Sequence, residues 1–286
     1  MRSFISKIGL FLALTFSQVA TYGESIVLYG VGPNQYSSRA LKLALSYIPD
    51  KKYEIAMFPI PMPKRRALEN MGAGKGIDVV FGGANTEREQ NFLPIRFPLL
   101  RGLNGWRVPL VHKDNKELFD GIETLDDLKK LAVGQFHSWS DTRVLESNDL
   151  NVVKGSNYPA LYNMLDKKRF EYFPRSVLEV VSDYEGYKHL DIEINYDILI
   201  YYPTAYYFYV AKENIELAND IERGLWAAYK DGTLNTLYLE FYGDTINRFS
   251  KTNPKVFRLK NKFLSEQTPL DNPDLWIDLE DFKQEQ

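Results

Sequence analysis

"IDVVFGGANTER", residues 77–88, decides how this chain is read. Ile77 to Phe81 have the length and apolar content of a buried strand. Two glycines follow at once, then Asn85 and Thr86, then Arg88 between two glutamates. The segment therefore leaves the core abruptly and ends on a charge. Upstream, "SIVLYG" (25–30) reads as another buried strand ending in glycine. "SSRALKLALSYI" (37–48) carries apolar residues at helical spacing and stops at Pro49. "YEIAMFP" (53–59) alternates as a strand, and "KRRALENMGAGK" (64–75) is a helix closed by Gly72 and Gly74. Strand and helix alternate, which predicts an α/β class with mostly parallel sheets. Ligands of such sheets gather beyond the carboxyl ends of the strands. That rim holds "VGPNQ" (31–35) and "GGANTER" (82–88). Asn85, Thr86 and Arg88 are thus candidate ligand contacts, and Gly82 and Gly83 would let a ligand approach the backbone closely.

The rhythm then restarts. "WRVPLVHKD" (106–114), "AVGQF" (132–136), "LNVVKG" (150–155) and "FEYFP" (170–174) read as strands. "TLDDLKKL" (124–131), "SDTRVLESN" (140–148), "PALYNMLDKKR" (159–169) and "SVLEVVSDYEGY" (176–187) read as helices. Thr124 and Asp127 have the spacing of a capping box. "DILIYYPTAYYFYVAKE" (197–213) is one long extended segment. Residues 214–243 are a helical pair broken at "DGT". The tail beyond Ser250, with Pro254, Pro269 and Pro273 and an amphipathic "PDLWIDLEDF", is a wrapping extension. Two α/β units lie in tandem, the second embedded in the first.

Composition narrows the function classes. The chain has 286 residues, enough for one large or two moderate domains. Its net charge of −3 offers no basic excess for nucleic acid. Nineteen tyrosines suit either a binding surface or ordinary strands. The start, "MRSFISKIGLFLALTFSQVATYGE", places Arg2 and Lys7 before an apolar run and then small residues. That is the pattern of a secretory signal peptide over residues 1–23, cleaved after Gly23. The run is too short for a stable membrane anchor. Cleavage would remove two positive charges and leave the mature chain at −5. The absence of cysteine suits an exported, periplasmic protein, where a stray thiol would be oxidised.

Catalytic and metal chemistry finds little support. "MGAGKG" (71–76) lacks the first glycine and the Ser/Thr of a phosphate loop. The three histidines, His112, His137 and His189, lie far apart with no cysteine near them, so no metal site and no cofactor are expected. His137, Ser138 and Asp141 are close in sequence but lack the Gly-flanked turn of a nucleophile. A secreted hydrolase remains a remote alternative.

The order of these segments resembles the type II periplasmic solute-binding proteins, the family-3 group best known for polar amino acids, over roughly residues 24–248. "NTEREQNFLPIRFPL" is similar to the family's Thr-x-x-Arg segment and the Pro-containing stretch after it. "TLDDLKKLAVGQFHSW" is similar to its entry into a second lobe. "LDKKRFEYFP" sits where the family has a Leu-x-x-Gly-Arg-x-Asp-Ala stretch, and "AKENIELANDIERGLWAAYKDGTLNTLYLEFYG" is similar to its closing helices.

The resemblance implies two lobes closing on a ligand. Lobe 1 would be residues 24–111 and 205–286, with a C-terminal extension from about 250, and lobe 2 residues 112–204. The crossings near "VHKD" and "YYPT" would form the hinge. It implies that Arg88 forks onto a ligand carboxylate, a match of paired donors to paired oxygens. It also places Ser138 where lobe 2 offers a hydroxyl. Tyr29, Trp106 and Trp139 are candidate cleft walls, each equally readable as core. One departure stands out. The family's late lobe-2 carboxylate, which meets a ligand ammonium, is not evident in "FEYFPRS". Arg175 lies within about a residue of it, Glu171 falls at the family's structural Asp, and Glu179 comes a turn later. Arg88 and Arg175 facing across a cleft would favour a ligand with two anionic ends, such as a dicarboxylate. Arg101 and Arg107 could also reach the rim. The implied partners are a small-molecule ligand and a membrane permease of an ABC-type uptake system, or alternatively a sensor protein. A monomer is expected.

Overall fold

The computed structural model describes residues 23–30 and 32–282. The expected signal peptide falls on residues 1–22 and Gly23, almost wholly outside the described residues; Val31 also lies outside them. Among the described residues no helix is long and apolar enough to cross a membrane.

Two sheets organise the chain. The first runs β2 (Tyr53–Met57), β1 (Glu24–Tyr29), β3 (Val79–Gly83), β11 (Tyr206–Val210), β4 (Leu93–Ile95). The β-α-β units at its start make β1, β2 and β3 parallel, while β11 enters antiparallel to both β3 and β4. Helices α1 (Tyr36–Ser46), α2 (Lys64–Gly72) and α3 (Thr86–Asn91) connect these strands. The paired α8 (Ile215–Lys230) and α9 (Thr233–Ser250) pack on the same unit. Ala40, Leu41, Ala44 and Leu45 form the buried stripe of α1. They meet α8 so closely that a Cβ on Gly224 would lie 2.0 Å from the Ala44 carbonyl oxygen. Gly232, at φ 84°, makes the turn between α8 and α9 that "DGT" foretold.

The second sheet runs β12 (Lys255–Arg258), β10 (Ile198–Tyr201), β5 (Trp106–His112), β8 (Tyr172–Ser176), β6 (Ala132–Phe136), β7 (Asn151–Gly155), with β9 (Ile192–Ile194) also on β5. Its helices are α4 (Leu125–Leu128), α5 (Ser140–Glu146), α6 (Tyr158–Asp166) and α7 (Val180–Tyr187). Thr124 and Asp127 form the full capping box at α4. Strand directions are mixed in both sheets. Parallel pairs arise within β-α-β units and where the tail strand β12 joins β10, and antiparallel pairs where strands carry the chain between sheets.

The expected lobe boundaries shift in two places. Trp106–His112 is a strand of the second sheet, so the first crossing lies before residue 106 and not at "VHKD". The second crossing, Tyr202–Ala205, splits "DILIYYPTAYYFYVAKE" into β10 and β11, one in each sheet. The tail does not stay with lobe 1 either. Its β12 pairs in parallel with β10 of the second sheet. The chain then returns, burying Leu275, Ile277 and Leu279.

The tyrosines are largely structural. Tyr162, Tyr172, Tyr202, Tyr207, Tyr209 and Tyr238 are among the largest fully buried side chains.

Candidate functional site

Asn85 accepts a hydrogen bond from the backbone N–H of Arg88 at 2.8 Å and so caps α3. The cap fixes Arg88 one turn beyond the end of β3. The half-buried guanidinium donates through Nη1 to the Gly83 carbonyl and lies 5.6 Å from the Tyr209 ring centroid. Neither neighbouring glutamate neutralises it. Glu87 is exposed, and Glu89 pairs with Arg96 at 2.9 Å. Among the described residues Arg88 has no ion-pair partner.

A second cation joins it. A Cβ placed on Gly82 would meet Arg88 Nη1 at 3.1 Å and Lys64 Cδ at 3.4 Å, so both side chains converge over this glycine. Lys64, the first residue of α2, is half-buried and has no ion pair among the described residues. Burial, and then the charge of Arg88, push its pKa down to about 8. Two unpaired cations at the carboxyl end of β3 are unfavourable unless an anion joins them. Lys64 is not legible in the sequence, because nothing in "KRR" marks which of three basic residues turns toward Arg88.

The other candidates fall in different places. Thr86 lies on the same turn, but its backbone N–H and its hydroxyl both donate to the Phe263 carbonyl, at 3.2 and 3.3 Å. Gly83 sits under the Tyr206 ring, 3.5 Å from a Cβ placed there. Ser138 is exposed on the turn before α5 and makes no side-chain hydrogen bond among the described residues; the residue at the cap of that helix is Trp139. Tyr29 bonds through its hydroxyl to Met62, whose N–H donates to it at 3.0 Å, and so braces the chain entering α2.

Two expectations are overturned. Trp106 is not a cleft wall. It is fully buried, packs against Tyr201 at 4.5 Å, and donates from Nε1 to the Ile277 carbonyl at 3.1 Å. The tail covers it, and this the sequence did not reveal. Arg175 is not a free cation facing a cleft. It is 4% exposed, bonds Asp183 at 2.6 Å and Glu179 at 2.8 Å, and lies 4.7 Å from the Trp139 ring. Burial opposes its charge, but Glu179 and Asp183 outweigh burial and hold its pKa above the ordinary value. Two arginines bidding for one ligand are therefore replaced by Arg88 and Lys64 on one rim.

Arg101 and Arg107 are also committed. Arg101 donates to Asn235 and to the Asp274 carbonyl, each at 3.0 Å. Arg107 is buried against Asp141, which also accepts from the Tyr202 hydroxyl at 2.6 Å. With Asp141 so occupied and His137 Nδ1 3.3 Å from the Gly155 carbonyl, His137, Ser138 and Asp141 form no relay. Glu171 accepts from the Ala132 N–H and ties β8 to β6, a structural role. Among the described residues no group of three or more His, Cys, Asp or Glu could hold a metal ion.

Between the two sheets lies a cavity of about 50 Å³. Gly83 and Asn85 line it from the first unit, Asp141 and Arg143 from the second, and Asn261 and Phe263 from the tail. Arg88 adjoins it through Gly83 and Asn85.

Two interleaved α/β units joined by paired crossings make up the type II fold of two-lobed periplasmic binding proteins, and solved structures share it. The probable amino-acid ABC transporter extracellular-binding protein ytmK from Bacillus subtilis is 19% identical, with a TM-score of 0.57, covering 78% of this chain and 99% of that one. An ancestral arginine-binding protein bound to arginine is 20% identical, with a TM-score of 0.52, covering 78% and 100%. A chain solved in work on glutathione import via GshT and the cystine ABC importer TcyBC of Streptococcus mutans is 14% identical, with a TM-score of 0.53, covering 78% and 96%. No family model matches the chain, and no curated protein sequence matches it.

Proposed function

We propose that this protein is a non-enzymatic extracytoplasmic solute-binding protein. It captures a small ligand bearing at least one carboxylate or similar anionic group between its lobes and delivers it to the permease of an ABC-type importer. The observation that carries this reading is the convergence of Arg88 and Lys64 over Gly82, neither with an ion-pair partner among the described residues, Glu89 being paired with Arg96. A guanidinium offers paired donors to an anion, and an adjacent ammonium adds charge without competing for the same geometry. The fold supports the reading: its solved neighbours include proteins described as arginine-binding and as amino-acid transporter components. The amino-terminal pattern supports export to the periplasm. In place of a lobe-2 carboxylate free to meet a ligand ammonium, Asp183 and Glu179 are held by Arg175. The preferred ligand is thus an anion in which an α-ammonium contributes little.

A thermal-shift screen across amino acids, dicarboxylates, short peptides and sugars tests this. A ligand at about a hundred times its dissociation constant stabilises the fold by roughly 2.7 kcal/mol. Shifts with carboxylate-bearing compounds, largest for those without an α-ammonium, support the proposal, and shifts confined to neutral sugars or to amines that lack a carboxylate oppose it.

A further inference from the structure

The tail does more than wrap the surface. After β12 it crosses the space between the two units in five residues, and four of them are hydrogen-bonded along the way. The Leu259 N–H donates to the Tyr201 carbonyl at 2.7 Å. Asn148, at the end of α5, grips residue 260 on both sides: its amide donates to the Lys260 carbonyl at 2.8 Å, and its oxygen accepts the Lys260 N–H at 3.0 Å. Asn261 donates to the Pro203 carbonyl, on the crossing between the sheets, at 2.9 Å. Phe263 then touches both units at once. Arg143 of α5 lies 4.2 Å from its ring centroid, and its carbonyl accepts both donors of Thr86 on α3.

We infer that residues 259–263 are a latch that holds the two lobes together without a ligand, and that Asn261 and Phe263 are lobe-positioning residues walling the binding space. Three arguments converge. The contacts join the second unit, the crossing and the first unit in sequence, so the lobes cannot separate along this edge while all of them persist. The latch ends on Thr86, two residues from Arg88, so releasing it changes the turn that carries the proposed anion contact. The cavity it walls, about 50 Å³, is far below the roughly 300–1,000 Å³ of sites for drug-sized ligands. Asn261 and Phe263 form part of its wall, so withdrawal of the strap would enlarge it. The bonds are few and partly exposed, which suits a contact that opens and recloses.

The test needs no ligand. The chain has no cysteine, so Arg66→Cys on α2 and Lys188→Cys beyond α7 give a clean pair of spin-label sites, one on each unit. Pulsed electron-spin distance measurement on the full chain should show one narrow distribution. Combining the labels with Asn261→Ala and Phe263→Ala should add a longer-distance population absent from the parent, and Asn148→Ala alone should do so to a smaller degree. Circular dichroism checks that each variant is folded; if the double variant is not, Asn148→Ala carries the test. An unchanged distribution in the folded variants would overturn the latch. The outcome is independent of the ligand proposal: lobes that open in a protein binding no anion would sink that proposal and leave the latch standing.

Discussion

Thr86 and Phe263, 177 residues apart, are joined by two hydrogen bonds: the backbone N–H and the hydroxyl of Thr86 both donate to the Phe263 carbonyl. The turn that the sequence marked as ligand-facing is thus partly covered by the chain's own tail. The donors of Thr86 are spent, and Arg88 with Lys64 remains as the unneutralised part of the rim.

The Arg175 cluster is expected to govern stability and not ligand choice. Asp183→Ala leaves a 4% exposed guanidinium with the half-exposed Glu179 as its remaining acidic partner, beside the Tyr158 hydroxyl. Removing one partner of a buried pair costs about 3–5 kcal/mol, and the surviving glutamate should keep the loss near the lower bound. Urea denaturation checks the loss. If anion affinity rises in the same variant, Arg175 has been released toward the ligand and the structural assignment is contradicted.

Lys64 gives a pH signature. Its folded pKa is about 8, against an ordinary 10.5, through burial and then Arg88. Between those values the unfolded chain holds a proton that the folded chain has released. Stability therefore rises with pH across that window. Below about pH 8 both forms are charged, and the full destabilising effect of the buried charge is present. Lys64→Met should remove the rise, seen by comparing melting of parent and variant from about pH 7.5 to 9.5. An anionic ligand should raise the Lys64 pKa again, so binding near pH 9 should take up protons. Calorimetry in buffers of different ionisation enthalpy would detect the uptake, and its absence would place Lys64 outside the site.

Two glycines should separate site from scaffold. Gly82→Ala puts a methyl 3.1 Å from Arg88 Nη1 and 3.4 Å from Lys64 Cδ, both on flexible side chains. Affinity should fall while melting changes little. Gly224→Ala meets the Ala44 backbone at 2.0 Å, so α1 and α8 must move apart. Overpacking of this kind costs about 1–3 kcal/mol, and ligand affinity measured on the folded fraction should be unchanged. A melting loss for Gly82→Ala larger than for Gly224→Ala would contradict this division.

Much of the fold was legible because it is local. The strand-helix rhythm, the capping box at Thr124, the α8–α9 turn and the strand end before Arg88 all follow from short-range pattern. What escaped depends on distant packing. "FEYFPRS" carries no sign that Arg175 would bond residues on the next helix. "WRVPL" cannot say which sheet it joins, since a buried strand reads alike in either. The tail was read as a wrapping extension, but its pairing with β10 is a four-residue parallel ladder between distant segments, and its reach to Thr86 rests on single bonds, such as those of Asn148 and Asn261, that leave no periodic trace. The position of Arg88 just beyond the β3 end was readable from Gly82-Gly83. Its lysine partner was not, because convergence over Gly82 is a matter of side-chain direction.

The central claim is that Arg88 anchors an anionic ligand. Isothermal titration calorimetry with the tightest ligand from the thermal-shift screen, on the parent and on folded Arg88→Ala, tests it most directly. Loss of a charge-assisted contact in a closed site should cost roughly 2–5 kcal/mol of affinity, and Arg88→Lys should restore little, because an ammonium lacks the planar fork. Equal affinity in the parent and Arg88→Ala, with both melting alike, would place the site elsewhere and leave Arg88 as a cap-held surface charge.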